Sequence, residues 1–112
     1  MRMWNVDPKL MCRQHLLGEH LEMHMFAGCI NKGKSLAGYI RGGLVETGNI
    51  RDRHFALSEE MERRGYNHKS PLFLEPQDIE EGKVDINESL MELWSRCKEC
   101  KIRMQNKGID GR

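Results

Sequence analysis

The segment Gln14-His15-Leu16-Leu17-Gly18-Glu19-His20-Leu21-Glu22 carries two imidazoles, an amide and two carboxylates within nine residues near the start of the chain. Its leucines recur with the period of an α-helix. We expect this helix to begin at Asp7-Pro8, an N-cap followed by proline in the first helical position, and to end at Asn31 or Lys32 before Gly33. Apolar residues cover a broad part of its surface, which predicts a central, largely buried helix.

The rest of the chain predicts two more main helices and long irregular loops. A second helix is expected over residues 50–64, ending at Gly65, and a third over residues 85–105. The glycine-rich connection over residues 35–48 is expected to hold a short helical turn at residues 36–40, and residues 66–82 to be extended. Residues 106–112 are expected to fray. No strand is predicted, so the chain is expected to form one all-α domain over residues 1–112.

Composition limits the possible functions. A chain of 112 residues suits one domain, and a net charge of +1 means that DNA binding would need a local basic surface. No apolar run is long enough to span a membrane, so no membrane partner is expected. The four cysteines occur without a signal peptide, which favours a cytoplasmic protein with reduced thiols.

The start of the chain supplies a candidate nucleophile. Arg2 is too bulky for ready removal of Met1, so the α-amino group of Met1 is expected to remain. The pKa of an α-amino group is ordinarily about 7.7–8.0, which leaves an appreciable neutral fraction at physiological pH. A neutral amine close to a carboxylate is suited to imine chemistry.

One face of the first helix supplies the candidate carboxylate. At helical spacing His15, Gly18 and Glu22 project from the same side, and Gly18 leaves a gap where a ligand could approach. The residues alone leave two simpler interpretations open. Glu22 could reach solvent or pair with a basic residue, and His15 could be an ordinary hydrogen-bonded histidine.

Three segments, in order, resemble the pyrimidine-dimer DNA glycosylase family, the phage-type endonuclease V enzymes that excise ultraviolet photoproducts. The first runs from Arg2 to Glu22, the second is Gly42-Gly43-Leu44-Val45, and the third runs from Arg53-His54 through Glu60-Met61-Glu62-Arg63-Arg64-Gly65-Tyr66-Asn67. Together they cover roughly the first seventy residues.

The resemblance implies a reaction and roles for five residues. In this family the N-terminal α-amine attacks the sugar C1′ of the damaged nucleotide, an imine forms, and β-elimination cuts the strand. The nucleophile would be the amine of Met1 and the catalytic carboxylate Glu22, while Arg2, Gln14 and His15 match positions that contact DNA. The implied partner is damaged double-stranded DNA, bound by a monomer, and no cofactor is expected. The alternative is a non-catalytic helical DNA-binding or protein-interaction module, which zinc could stabilise.

Further DNA contacts are expected from basic residues in the loop and the second helix, which could bind phosphates. The candidates are Lys32, Lys34, Arg41, Arg51, Arg53, Arg63, Arg64 and Lys69, of which we predict contacts by Lys32, Lys34, Arg41, Arg53 and Arg64. The alternative is an ordinary solvated charge pattern, because Glu59, Glu60 and Glu62 are interleaved with them.

A metal site is the weaker alternative. His20 and His24 lie four residues apart, and Cys97-Lys98-Glu99-Cys100 supplies a CxxC pair, so the four side chains could form a Cys2His2 zinc site. The favoured interpretation is that Cys97 and Cys100 are small buried residues of a helical stripe, with no metal bound. Cys12 and Cys29 are weaker candidates for ligands.

Overall fold

Helix α1 (Arg13–Asn31) forms the centre of the computed structural model, which describes residues 1–67 and 70–109. It packs mainly against α3 (Ile50–Arg63), and its buried side chains include Leu16, Met23 and Phe26. The predicted central helix is confirmed, as is its end, because Gly33 follows with a φ of 70°, a conformation that favours glycine.

The predicted start of this helix at Pro8 is wrong. Residues Pro8–Leu10 form a separate 3-10 turn, in which the Asp7 side chain accepts a hydrogen bond from the Lys9 backbone N–H. The chain is then extended at Met11 and Cys12, and Cys12 is the N-cap of α1. The physical reason is burial, since the interruption turns Leu10, Met11 and Cys12 into the core.

The connection between α1 and α3 contains the short helix α2 (Ala37–Arg41) and a 3-10 turn at Thr47–Asn49. The predicted helical turn over residues 36–40 is therefore confirmed to within one residue. Helix α3 ends beside Gly65, which has a φ of 84°, as the sequence predicted.

The predicted third helix is interrupted and forms two helices, α4 (Ile86–Arg96) and α5 (Lys98–Asn106). Cys97 leaves the helical conformation, with φ −124° and ψ 108°, and becomes the N-cap of α5. The change of direction brings Cys100 and Met104 into the core, where both are fully buried. A continuous helix would not follow this path.

All regular structure in residues 1–67 and 70–109 is helical, which confirms the all-α class. Residues 66–67 and 70–82 contain no helix, as predicted. Fraying was predicted for residues 106–112, of which 110–112 lie outside the described residues. Of the helices described, none is both long and apolar enough to cross a membrane.

Candidate functional site

The N-terminal segment, residues 1–6, is tied along the helical body by its backbone. The N–H of Met3 donates to the carbonyl of Leu44 at 2.6 Å, and the Val6 carbonyl accepts from Nη1 of Arg53 at 2.6 Å. The side chains of Met3 and Val6 are buried in the core. The segment therefore holds the chain start in a defined position.

The carboxylate of Glu22 is directed at the chain start. Its Oε1 accepts a hydrogen bond from the backbone N–H of Arg2 at 2.7 Å. Three covalent bonds separate this nitrogen from the α-amino nitrogen of Met1. Helix α1 thus brings the predicted carboxylate and the predicted nucleophile into the same small region.

The side chain of Arg2 is used within the protein. Nη1 donates to Glu92 of α4 at 2.6 Å, and the guanidinium carbon lies 3.7 Å from the ring centroid of Trp4. Nε of Arg2 is buried without a hydrogen-bond partner. The predicted phosphate contact of Arg2 would therefore compete with Glu92.

A shallow depression of about 260 Å³ lies beside the chain start. We call it the Met1 depression; it is lined by Met1, Met25, Gly28, Cys29, Lys32 and Lys34. Lys32 and Lys34 are exposed, so two of the predicted DNA contacts flank the residue that carries the α-amine. The region combines positive charge, apolar surface and an amine.

The face of α1 around Glu22 presents apolar side chains to solvent. Leu21 and Met25 are 60% and 46% exposed, on either side of Glu22 in sequence. A Cβ atom built on Gly18 would meet nothing within 4 Å, so the expected gap on this face is present. Leu21 and Met25, one helical turn apart, therefore give this face a small apolar surface beside Glu22.

Arg53 differs from the prediction that it contacts DNA. It is only 5% exposed and forms a bidentate ion pair with the fully buried Glu19, at 2.5 and 2.9 Å. Its Nη1 donates to the Val6 carbonyl, and its Nη2 also donates to Sδ of Met11 at 3.4 Å. Because all of these partners are internal, Arg53 supports the N-terminal segment and is not a surface cation.

Arg64 is also largely committed to internal contacts. Its guanidinium donates to Glu60 at 2.7 Å and to the backbone carbonyls of Pro8 and Met11, and its side chain is 9% exposed. Gln14 and Arg41, by contrast, are exposed. Lys69, another candidate, lies outside the described residues.

The weaker alternative, a zinc site of His20 and His24 with Cys97 and Cys100, does not form among the residues that the structure describes. His20 and His24 instead meet His54 of α3, and Nε2 of His24 lies 3.1 Å from Nε2 of His54. The two cysteines meet Cys12 and His15. Each pair stays together as its spacing predicts, but the fold gives the two pairs different partners.

Hydrogen bonding and burial act differently on the two cysteines of the CxxC pair. Burial raises the pKa of Cys100 to about 12. At Cys97 burial acts in the same direction, but hydrogen bonds from Cys100 and Cys12 outweigh it, so the pKa of Cys97 lies below its ordinary value. Burial lowers the pKa of His15, because it disfavours the charged imidazole. The negative charges of Glu22 and Glu19 act in the opposite direction but are weaker.

Comparison with known proteins identifies the family. A family model described as pyrimidine dimer DNA glycosylase matches residues 1–74, well over half of the chain. The chain therefore belongs to the pyrimidine dimer DNA glycosylase family, which makes it a DNA-acting protein of the glycosylase class. No curated protein and no solved structure matches the chain.

Proposed function

We propose that this protein excises pyrimidine dimers from double-stranded DNA and then cuts the strand at the resulting abasic site. The nucleophile is the α-amino group of Met1, retained and unblocked, and the catalytic carboxylate is Glu22. Family membership supports the glycosylase class, and the geometry around Glu22 supports the assignment of roles.

In the first step the lone pair of the Met1 amine forms a bond to the sugar C1′. The glycosidic C1′–N bond breaks, and its electron pair leaves with the damaged base, which takes up a proton. The amine loses a proton, and the C1′–O4′ bond opens as its electron pair moves to O4′, which takes up a proton. The nitrogen lone pair then completes a cationic imine that links the protein to the sugar. Only the neutral amine has the lone pair that this step needs.

In the second step a base removes a proton from C2′ of the imine. The electrons of that C–H bond form a double bond, the C3′–O bond breaks, and the phosphate leaves with the electron pair. Water then hydrolyses the imine and releases the amine. A carboxylate close to C1′ stabilises the cationic imine and is placed to move the C2′ proton.

The hydrogen bond from the Arg2 N–H to Glu22 is the observation that carries this proposal. It supports a carboxylate within reach of whatever is bonded to the α-amine. The bond also fixes the peptide plane that follows Met1, which restricts the positions that the amine can take. Such preorganisation is the main protein contribution to steps of this kind.

The DNA contacts are proposed to include the two lysines of the Met1 depression. Lys32 and Lys34 would bind phosphates, while Gln14, His15 and Arg41 are the further predicted contacts with the DNA, and Arg2 joins them where it is released from Glu92. Exposed Leu21 and Met25 offer apolar surface to an unstacked nucleotide, which offsets part of the few kcal/mol that base flipping costs. The monomeric state and the cytoplasmic location stay predictions.

The proposal is tested by strand cleavage on two duplexes, one with a thymine dimer and one with an abasic site. Glu22→Gln is expected to lose cleavage of both by at least about a hundredfold, the range for a lost acid–base group. Its amide oxygen still accepts the hydrogen bond from Arg2, so DNA affinity is expected to change little. Glu62→Gln, at an exposed site on α3, is the matched loss of one charge and should keep full activity.

Equal cleavage by the wild type and Glu22→Gln would remove Glu22 from the mechanism. Binding of both duplexes without any cleavage by the wild type would favour the non-catalytic DNA-binding module instead.

A further inference from the structure

Four side chains that the proposed reaction does not use as acid, base or nucleophile converge at the start of α1. They are Cys12, His15, Cys97 and Cys100, whose ligand atoms all lie within 4.8 Å of one another. Cys12 and Cys100 are buried, and the other two are partly buried. Two come from the start of α1 and two from the start of α5, which are more than eighty residues apart in sequence.

The two contributing segments have the same local design. Cys12-Arg13-Gln14-His15 and Cys97-Lys98-Glu99-Cys100 each place two ligands three positions apart at the beginning of a helix. In each, the first cysteine is the N-cap, and its Sγ accepts the backbone N–H of the second ligand, at 3.4 Å in both cases. A helix N-terminus and N–H donors both stabilise a thiolate.

Two of the three distances below equal the edges of a tetrahedron around one ion, and the third is shorter by about 0.4 Å. Zinc binds sulfur at about 2.3 Å and nitrogen at about 2.0–2.1 Å, so tetrahedral ligands lie about 3.8 Å apart for two sulfurs and about 3.6 Å for sulfur and nitrogen. Sγ of Cys12 lies 3.8 Å from Sγ of Cys97. Nδ1 of His15 lies 3.6 Å from Sγ of Cys100 and 3.2 Å from Sγ of Cys12.

We propose that Cys12, His15, Cys97 and Cys100 bind one Zn²⁺ ion in a closed, structural Cys3His site. Three thiolates and the neutral Nδ1 of His15 fill the four positions, so binding releases three thiol protons and leaves a net charge of −1. Soft sulfur ligands in a tetrahedron favour zinc over magnesium or calcium. A site closed by four protein ligands leaves no position for a reacting water, so its role is structural.

The ion would join the two parts of the chain. Cys12 and His15 lie within the residues matched by the family model, and Cys97 and Cys100 lie outside them. The site would hold α5 against the helix that carries Glu22, and it accounts for the interruption of the C-terminal helix at Cys97. It also gives His15 a structural role through Nδ1, in addition to the DNA contact proposed above.

A disulfide is the main competing use of these cysteines. An S–S bond is about 2.05 Å long, whereas the Cys12 and Cys97 sulfurs lie 3.8 Å apart. The backbone N–H of Cys12 also donates to Sγ of Cys100 at 3.2 Å, so each sulfur of the CxxC pair has a backbone donor aimed at it. Such donors stabilise charged thiolates, as a metal-bound sulfur requires.

The test is the metal content of the whole protein, purified without chelator and with its thiols kept reduced. About one zinc per chain is expected by elemental mass spectrometry. Replacement by Co²⁺ should give the thiolate charge-transfer and visible bands of tetrahedral cobalt. The thiolate band reports this site alone, because the cluster of His20, His24 and His54 has no sulfur.

Cys97→Ser is expected to weaken zinc binding by more than about a hundredfold, since even partners of the ligands cost 10–100-fold. Cys29→Ser is the matched control, because Cys29 is the cysteine outside the cluster, and it should keep the full zinc content. If Cys97→Ser does not fold, chelator treatment of the wild type should lower its melting temperature, and added zinc should restore it.

Metal-free protein that takes up no zinc as the reduced apo-form would overturn the proposal. So would a Cys12–Cys97 disulfide in protein alkylated at cell lysis. Neither result bears on the chemistry at Met1, which does not pass through this site.

Discussion

The carboxylate of Glu22, in the middle of α1, accepts a hydrogen bond at 2.7 Å from the backbone N–H of Arg2. The N-terminal segment thus begins beside a side chain that lies twenty positions further along the sequence. The buried pair of Arg53 and Glu19 supports the same segment through the Val6 carbonyl. The chain start is held by the core, and this is what a reaction at an N-terminal amine requires.

The lysines of the Met1 depression are expected to bind DNA phosphates. Lys32→Gln and Lys34→Gln should each weaken DNA binding about equally for all sequences, and each should reduce the slope of log affinity against log salt by about 1. Lys107→Gln, an exposed lysine beyond α5 and outside this depression, is the control and should leave the slope unchanged. Fluorescence anisotropy at several salt concentrations measures the slope. Unchanged slopes for both lysine variants would place the DNA elsewhere.

The ion pair of Arg53 and Glu19 should be costly to break on one side. Arg53→Met leaves the fully buried Glu19 without its partner, and we expect a loss of about 3–5 kcal/mol in the free energy of unfolding. Arg96→Met removes an arginine that is 74% exposed and 3.7 Å from Glu92, and should cost no more than about 1 kcal/mol. Urea unfolding of the three proteins gives both values. Similar losses in the two variants would show that burial of this pair has no special cost.

The lowered pKa of Glu60 predicts that the stability of the protein depends on pH. Hydrogen bonds from Arg63, and then from Arg64, lower its pKa to about 2, although burial opposes the shift. A pKa that is lowered in the folded state adds stability above the unfolded pKa of about 4.3, and this stability is lost as the pH falls towards 2. Glu60→Gln should therefore be less stable than the wild type at pH 7, and the difference should shrink between about pH 5 and pH 2.

Melting temperatures of both proteins across that range give the difference directly. Any metal loss in acid affects the two proteins alike, so the comparison isolates Glu60. A difference that stays constant down to pH 2 would mean that the ion pairs of Glu60 with Arg63 and Arg64 do not stabilise the fold.

The sequence predicted those parts of the fold that depend on interactions between residues close together in the chain. The apolar period gave the central helix, and Gly33 and Gly65 gave the ends of α1 and α3 because each adopts a positive φ. The start at Asp7-Pro8 was a correct cap for a turn but not for the helix, since burial of Met11 interrupts the chain there. The break before α1 depends on how the whole fold packs, and the sequence around Met11 carries no local signal for it.

In the candidate site, too, some residues could be proposed from the local sequence and others depend on contacts between distant segments. Glu22, Lys32 and Lys34 could be selected from the sequence, whereas Arg53 resembles its exposed neighbours until its contact with Glu19 is known. The cluster of Cys12 with Cys97 depends on a contact between residues 85 positions apart. The matching spacing of Cys12 to His15 and of Cys97 to Cys100 was the one signal in the sequence that could have suggested it.

Borohydride trapping tests the central claim most directly, because the reagent reduces an imine to a stable covalent bond. The protein is incubated with abasic and thymine-dimer duplexes, and its free N-terminus is first verified by intact mass. We predict a protein–DNA adduct on both duplexes, mapped to the Met1 amine, and none with N-terminally acetylated protein. No adduct from protein with a free N-terminus, or an adduct mapped to Lys32 or Lys34, would contradict the account.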